Sequence, residues 1–589
     1  MLSACGGSSG NATQRTGSSV VGAACDTSES LVSPKVQNPP SVRGDQILPS
    51  FREVAKASGI DYCQGKRRNA PDCLLNTTSV REKFPKFATN PALFDGGEAC
   101  ESERQTGGAA VGDYDDDGWP DVYVTRLDGP GLLFRNQRDG NFRDVTRDAG
   151  LMSVSDATNG AGFADLDNDG DADLVVTTIA SDRVYYFVND GAGRFDEQGA
   201  ERGLSGNGTT PNVSQSVNFG DYDNDGYLDA HITEWRKFPL PAPHRSAARL
   251  FRNRGREDPG KFEDVTVNAG VEMSVGGSSD WSFSSALRDL DGDGFADLIV
   301  ASDFGTSRLF WNDGRGGFVD GTEALKFGDD VDAMGLAIID VDGDQLLDIF
   351  VSGILDPPSD CANGNCNNGR SGNRLYRNRG DRRFEDATDR FGVRDGKWGW
   401  GTAFFDPTNS GRFDLIQASG MDLPYVVSGE WKGGPTLFWA AAGKGLFQER
   451  AADVGLVERG TGKALVVFDY DRDGKQDVLI VRDGKGPSLF HNATKGTGHW
   501  LEVKLIGRQS NRDGVGAVVR IVRNGTTIST MEYGSITHYL GSSENIAHFG
   551  IGPDASGTFE VQVFWPASGT SSSRVVRSLD TRIEIRESP

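Results

Sequence analysis

A nine-residue stretch, Asp221-Tyr222-Asp223-Asn224-Asp225-Gly226-Tyr227-Leu228-Asp229, recurs in related form along the chain and constrains its fold more than any other feature. The copies begin at Asp113, Asp165, Asp221, Asp289, Asp340, Asp406 and Asp469, at intervals of 52, 56, 68, 51, 66 and 63 residues. Repeats of that length, each with several strand-like segments, describe blades of a propeller rather than a solenoid of short coils.

Each unit divides into four strands. A Gly/Ala/Phe-rich strand enters the acidic loop, as in Gly160-Ala161-Gly162-Phe163-Ala164, and a branched apolar strand leaves it, as in Asp173-Leu174-Val175-Val176-Thr177. Neither alternates strictly, as expected for strands buried on both faces. A third strand recurs as Leu132-Leu133-Phe134-Arg135-Asn136 and Arg249-Leu250-Phe251-Arg252-Asn253, and a fourth as Phe142-Arg143-Asp144-Val145-Thr146. The fourth strand is missing after the last loop, while an extra copy, Phe51-Arg52-Glu53-Val54-Ala55, stands at the front. The N-terminal strand is therefore predicted to complete the last unit, leaving no open sheet edge. The expectation is an all-β chain: a seven-bladed β-propeller over 48–495, a tether over 1–47 rich in Ser, Gly, Asn and Pro, and a small β-sandwich or barrel over 496–589.

The loops place carboxylates at positions 1, 3, 5 and 9 and glycine at position 6. Alternate carboxylates on a tight turn converge on one hard cation, glycine permits the reversal, and an all-oxygen donor set suits Ca²⁺ rather than zinc or copper. Six loops keep all four carboxylates: Asp113, Asp115, Asp117 and Asp121; Asp165, Asp167, Asp169 and Asp173; Asp221, Asp223, Asp225 and Asp229; Asp289, Asp291, Asp293 and Asp297; Asp340, Asp342, Asp344 and Asp348; Asp469, Asp471, Asp473 and Asp477. About six calcium sites are expected. The Asp340 loop has Gln345 in place of glycine, predicting a strained turn. The Asp406 loop has Thr408 and Ser410 at positions 3 and 5 with Arg412 beside them, and is expected empty. The sites repeat equivalently without a partnered base or nucleophile, which favours structural over catalytic metal.

The 589 residues carry 61 Lys+Arg against 85 Asp+Glu, a formal charge of −24, which argues against nucleic-acid binding through phosphate neutralisation. No run of 18 apolar residues is present, so no helix is expected to span a membrane. Seven cysteines are present. Leu2-Ser3-Ala4-Cys5, followed by a Gly/Ser run, resembles a bacterial lipoprotein cleavage box, although no apolar segment precedes it; either the start is placed late or the likeness is chance. Lipidation at Cys5 would leave six cysteines for disulfides, with Cys361 and Cys366 the simplest pair, and an oxidising compartment.

After residue 496 the tail carries Asn511-Arg512-Asp513-Gly514-Val515-Gly516-Ala517, Gly534-Ser535, His548-Phe549-Gly550-Ile551-Gly552 and Phe564-Trp565-Pro566-Ala567-Ser568-Gly569. With these motifs the tail resembles the ASPIC/UnbV domain of the cartilage acidic protein family, and the loops, with Phe219-Gly220 ahead of Asp221, resemble FG-GAP/VCBS repeats of integrin-α-type propellers. The resemblance implies a calcium-binding protein, secreted or surface-attached, often linked to adhesion, with no settled catalytic activity.

In such a blade the acidic loops share one face, and the long insertions, 61–107, 234–248, 353–373 and 419–435, fall opposite. Trp235, Arg236, Asp356, Tyr425 and Trp431 are the most ligand-like residues there, suited to an extracellular protein or a glycan, with packing of their own loops as the competing role. The alternative is a secreted propeller enzyme, a polysaccharide lyase or hydrolase or a secondary-metabolite tailoring enzyme, working at the channel mouth. No Gly-x-Ser-x-Gly, His-Glu-x-x-His or P-loop motif appears, the six histidines are scattered, and catalytic residues are left unassigned.

Overall fold

A computed structural model of the chain describes residues 47–63, 105–179, 181–206, 212–236, 248–273, 280–325, 327, 332–356, 372–421, 434–443, 446–457, 460–534 and 537–589. Among these, strands dominate, and those up to Asn492 form seven four-stranded antiparallel units. In the Asp165 unit, Ala157–Ala164 pairs with Asp173–Ile179, which pairs with Tyr185–Asn189 and then Phe195–Glu197. The other units repeat this order, and the acidic loop is always the connection between the first two strands.

The first strands stand side by side around a common centre, beginning with Ala109–Gly112 and ending with Gly462–Phe468, which packs back against Ala109–Gly112. The Ala464 N–H donates to the Gly107 carbonyl at 3.1 Å, joining last to first. Glycine is required where these strands converge: a Cβ at Gly160 would collide with the Gln215 carbonyl, and one at Gly335 with that of Trp400. Hydroxyls stitch the same seam, with Thr125 Oγ1 donating to the Asn159 carbonyl and Thr177 Oγ1 to that of Gln215.

The N-terminal strand behaves as the strand count requires. Phe51–Glu53 pairs antiparallel with Ser488–Asn492, Phe51 opposite Asn492, and completes the last unit. The Phe51 ring is buried against Phe405 and Phe438 of the preceding unit.

The tail forms two sheets. One places His499–Ile506 between Ala547–Gly552 and Thr581–Arg586, the latter pairing in parallel; the other is antiparallel in the order 526–532, 518–523, 559–565, 570–576. Leu501, Val503, Val519, Ile521, Val561, Val563 and Trp565 fill the space between them, making a sandwich. One segment departs from it. Residues 537–542 reach into the centre of the ring, where Gly541–Ser542 pairs in parallel with Ala109–Ala110. Tyr539 and Leu540 are fully buried there among Val111, Phe283, Trp400 and Val466. Tyr539 Oη donates to the Gln105 carbonyl and meets Gln215 Oε1 at 3.1 Å, while the Leu540 N–H donates to Ser216 Oγ at 3.0 Å. The ring and the tail therefore share a core, which the sequence division at 496 does not anticipate.

Candidate metal centres on the acidic-loop face

Every acidic loop is held by its own first aspartate. In all seven, Oδ1 of that residue accepts from the N–H of position 5 and Oδ2 from the N–H of position 6, as in Asp221 with Asp225 and Gly226, both at 3.0 Å. Position 6 is left-handed throughout, with φ 89° at Gly226 and 71° at Gln345, so the strain expected of Gln345 is present.

The ninth carboxylate is fully or almost fully buried and braces the loop from below. Asp229 Oδ2 accepts from the Tyr222 N–H at 3.1 Å, and Oδ1 from the Asn253 N–H at 2.8 Å. That asparagine ends the third strand, and its side chain does more: Nδ2 donates to the Leu228 carbonyl at 3.0 Å and, across the seam, to the Leu166 carbonyl of the preceding loop at 2.7 Å. Asn136, Asn189, Asn312, Asn378 and Asn492 repeat the bridge. The sequence shows these asparagines at the third-strand end of six units, with Ala441 in that place in the Asp406 unit, yet their role needs the neighbouring unit to be seen.

The remaining oxygens converge. One oxygen each from Asp113, Asp115 and Asp121 lies within 4.8 Å of the others, and the same holds for Asp165, Asp167 and Asp169; Asp221, Asp223 and Asp225; and Asp289, Asp291 and Asp297, while one oxygen each of Asp471 and Asp477 lies equally close to a ring nitrogen of His491. Such groups can hold a metal ion. Oδ1 of Asp115, of Asp167 and of Asp471, each at position 3, is buried with no hydrogen-bond partner, an oxygen left over after the loop's own bonds are made. Burial, followed by repulsion from Asp225 and Asp223, pushes Asp221 well above the usual carboxylate range, and burial raises Asp113 to about 6 and Asp297 to about 8.

Cations answer part of this charge. Arg135, second-last in its third strand, lies 2.6 Å from Asp115 Oδ2 and 3.1 Å from Asp117 Oδ2; Arg252 meets Asp223 at 2.6 Å, and Arg377 meets Asp342 and Asp344. His491 holds that strand position in the last unit, with Nδ1 at 3.4 Å from Asp477 and 3.6 Å from Asp471. The scattered appearance of the histidines in sequence hid this one. One or two cationic side chains against four carboxylates still leave these loops negative. In the Asp406 loop, Thr408 and Ser410 hydroxyls turn toward Asp406 Oδ1 at 3.4 and 3.3 Å, so its first carboxylate is satisfied internally.

The tail lies on this face. Asp513 Oδ2 accepts from the Asp165 N–H at 2.9 Å, Glu532 Oε2 from the Asp289 N–H at 3.2 Å, and His548 Nε2 meets Asn409 Oδ1 at 2.8 Å. The Gln509 carbonyl closes over Gly226. Three buried tail carboxylates, Asp513, Glu532 and Glu502, thus stand beside the first aspartates of the Asp165, Asp289 and Asp469 loops.

The residues read as ligand-binding fare differently. Trp235 is 3% exposed, its ring packs on Trp281 and Phe283, and Nε1 donates to Asp303 at 3.1 Å, so it is a core residue rather than a free loop side chain. Its position at the end of an inner strand, against the filled centre, buries it. Arg236 ends the strand Asp229–Arg236 opposite Asp280, and Asp356 is half-buried just beyond the second strand of the Asp340 unit. Tyr425, Trp431, Cys5, Cys361 and Cys366 lie outside the described residues. Cys63 is disulfide-bonded.

The fold is of the β-propeller type; residues 113–176, 165–232 and 289–351 match the family model of the FG-GAP-like repeat, and residues 507–589 match that of ASPIC and UnbV. Part of the chain is similar to cartilage acidic protein 1: 29% identical over 197 residues to the Xenopus tropicalis protein and 28% over 216 residues to the human one, matches that cover 33% and 36% of this chain. The chain spans only 28% and 30% of the length of those relatives. Among solved structures, the BP39L lectin of Burkholderia pseudomallei aligns with 67% of this chain and 98% of its own at 11% identity and a TM-score of 0.42. The Aleuria aurantia lectin in complex with alpha-methyl-L-fucoside aligns with 58% of this chain and 94% of its own at 12% identity and a TM-score of 0.31. At those scores neither bears on function. Among the described residues no helix is long and apolar enough to cross a membrane.

Proposed function

We propose that the seven units are blades of one closed propeller, that six of its loops bind Ca²⁺, and that the chain is a secreted or surface-attached binding protein. The observation that carries the metal reading is the leftover buried oxygen at Asp115, Asp167 and Asp471 beside carboxylates already pushed up by burial. All-oxygen donors at this spacing fit a hard cation, and the first, third, fifth and ninth aspartates of each intact loop would hold it. When bound, calcium supplies charge neutralisation and cross-links each hairpin; the chain's own N–H groups keep the turn in shape. His491 makes the Asp469 loop the exception in donor chemistry.

A partner, an extracellular protein or a glycan, would meet the face opposite the acidic loops. Supporting this, the tail already covers the acidic face, and Tyr539 and Leu540 fill the centre of the ring, behind the channel mouth where the enzyme alternative would place a substrate. The Cys63 disulfide accords with an oxidising compartment. Lipid attachment at Cys5 is tested separately by mass spectrometry of native material. For calcium, the test is thermal unfolding with and without EDTA, together with bound-metal stoichiometry by elemental analysis. About six ions per chain and a melting temperature that falls on chelation are expected. A melting temperature indifferent to EDTA, with no calcium co-purifying or rebinding, would sink the metal reading.

A further inference from the structure

Between the ring and the tail lies a cleft of about 320 Å³, within the range of about 300–1,000 Å³ typical of small-molecule sites. Three buried polar atoms of its lining residues have no hydrogen-bond partner: Arg472 Nε, Arg582 Nη2 and Asn545 Oδ1. The last is an acceptor left over after Asn545 Nδ2 donates to the Asp513 carbonyl at 3.2 Å. Unpaired buried polar groups are costly and call for an explanation.

Arg472 is out of place in a second sense. It holds position 4 of its loop with φ 57°, in the left-handed region. The other six loops use Asp116, Asn168, Asn224, Gly292, Gly343 and Asn409 there, residue types that tolerate this backbone, whereas arginine does not favour it. Strained residues of this kind concentrate at functional sites. Its guanidinium lies 5.2 Å from the centre of the Trp119 ring. Lys504 and Arg582 of the same cleft have carboxylate partners in Asp116, Glu502 and Glu544, but Arg472 and Arg512 make no ion pair among the described residues. A bound anion would use both free N–H groups, since guanidinium forks match planar oxyanions. The acids that also line the cleft, Asp116 and Glu544 among them, disfavour a polyanion but accept hydrogen bonds from hydroxyls.

We propose that this cleft binds a small oxyanion-bearing polyol, a sugar acid or sugar phosphate, with Arg472 and Arg582 taking the oxyanion and Asn545 Oδ1 accepting from a hydroxyl. The site rests on no metal ion.

The test is calorimetric titration of the full chain, in excess calcium, with glucuronate, glucose 6-phosphate, glucose and inorganic phosphate. Binding of either charged sugar, at least tenfold tighter than glucose and than phosphate alone, is expected. Arg472→Asn installs the residue that the Asp165, Asp221 and Asp406 loops already carry, so it should fold and keep its calcium response while binding the charged sugar at least tenfold more weakly. Arg582→Lys, which keeps the charge for Glu502 and Glu544 but loses the planar fork, should weaken it as well. The proposal is overturned if no charged sugar binds at millimolar concentration, if glucose or phosphate alone binds as tightly, or if Arg472→Asn binds like the parent chain.

Discussion

Replacing Tyr539 tests whether the tail is locked into the ring. The side chain is fully buried, with its ring centre 4.9 Å from that of Trp400 and 5.6 Å from that of Phe283, and its hydroxyl bonded to Gln105 and Gln215. Truncating a buried aromatic to alanine costs about 3–5 kcal/mol, including the lost ring contacts. The substitution Tyr539→Phe keeps the ring and strands only the Gln105 carbonyl, since Gln215 Oε1 still accepts from Asn159 Nδ2 at 3.2 Å, a loss of about 1–2 kcal/mol. At about 1.4 kcal/mol per decade, the alanine variant should raise the open fraction of the docked segment by about 10²–10⁴ and the phenylalanine variant by about tenfold. The Ala109 amide, which donates to the Leu540 carbonyl at 3.3 Å, reports that opening directly in hydrogen exchange. Amides of the strand Asp297–Ser302, in another unit, serve as the internal reference for global opening. The expected order of Ala109 exchange is parent, Phe, Ala, with the reference unchanged. An Ala variant whose Ala109 amide exchanges within about threefold of the parent rate would refute the lock.

Asn253→Ala removes the bridge to the Leu166 carbonyl and leaves two buried carbonyls short of a donor, so thermal unfolding should show a loss of about 1–3 kcal/mol, with no loss speaking against the ladder. Gln345→Gly relieves a left-handed backbone at φ 71°; after the entropy glycine adds to the unfolded chain, a gain of about 0.5–1 kcal/mol is expected in denaturant titration, and a destabilised variant would contradict the strain. His538, buried, is held down to about 4. Its unfolded value is about 6.5, so the unfolded chain binds the extra proton between the two: stability is full above about pH 6.5 and falls as pH drops toward 4. The loss from this residue is up to about 3 kcal/mol. The difference in melting temperature between the parent and His538→Gln should therefore change across pH 6.5 to 4, and a pH-independent difference would rule the assignment out.

The ring was legible because repetition puts the same chemistry at the same spacing many times. Phe51 could be assigned to the last unit by counting strands, and Phe51 opposite Asn492 answers that count. Gln345 could be flagged because six sister loops show what its position requires. The tail's reach into the centre was not legible. Thr537-His538-Tyr539-Leu540-Gly541 reads as one more short apolar segment, and its partners, Gln105, Gln215 and Ser216, are several hundred residues away in the chain. Trp235 misled for the same reason: an aromatic at a strand end looks like a ligand contact until the centre of the ring is known to be filled. Arg472 was visible as an arginine among aspartates, but its departure from Asp, Asn and Gly acquires meaning only with φ and the cleft beside it.

The charge arrangement between ring and tail makes calcium and docking parts of one equilibrium. Asp513, Glu532 and Glu502 are buried against three acidic loops, and each raises, by repulsion, the pKa of a loop aspartate or has its own raised by one. Nearby cations offset part of this: Arg288 lies 3.6 Å from Glu532, and Arg582 lies 2.7 Å from Glu502. Lys504 and Arg512 act on Asp513, though burial outweighs them. A dication in each loop would turn the carboxylate of the tail from a repelling neighbour into an attracting one. Linkage is reciprocal, so if calcium strengthens docking, the docked tail strengthens calcium binding by the same factor. Asp513→Asn should then weaken calcium at the Asp165 loop several-fold while leaving the Asp221 loop unchanged, because no tail carboxylate of the described residues is paired with Asp221. Site-resolved calcium titration by NMR on the two loops checks this, and an unchanged Asp165 loop would mean that the tail carboxylates serve docking alone.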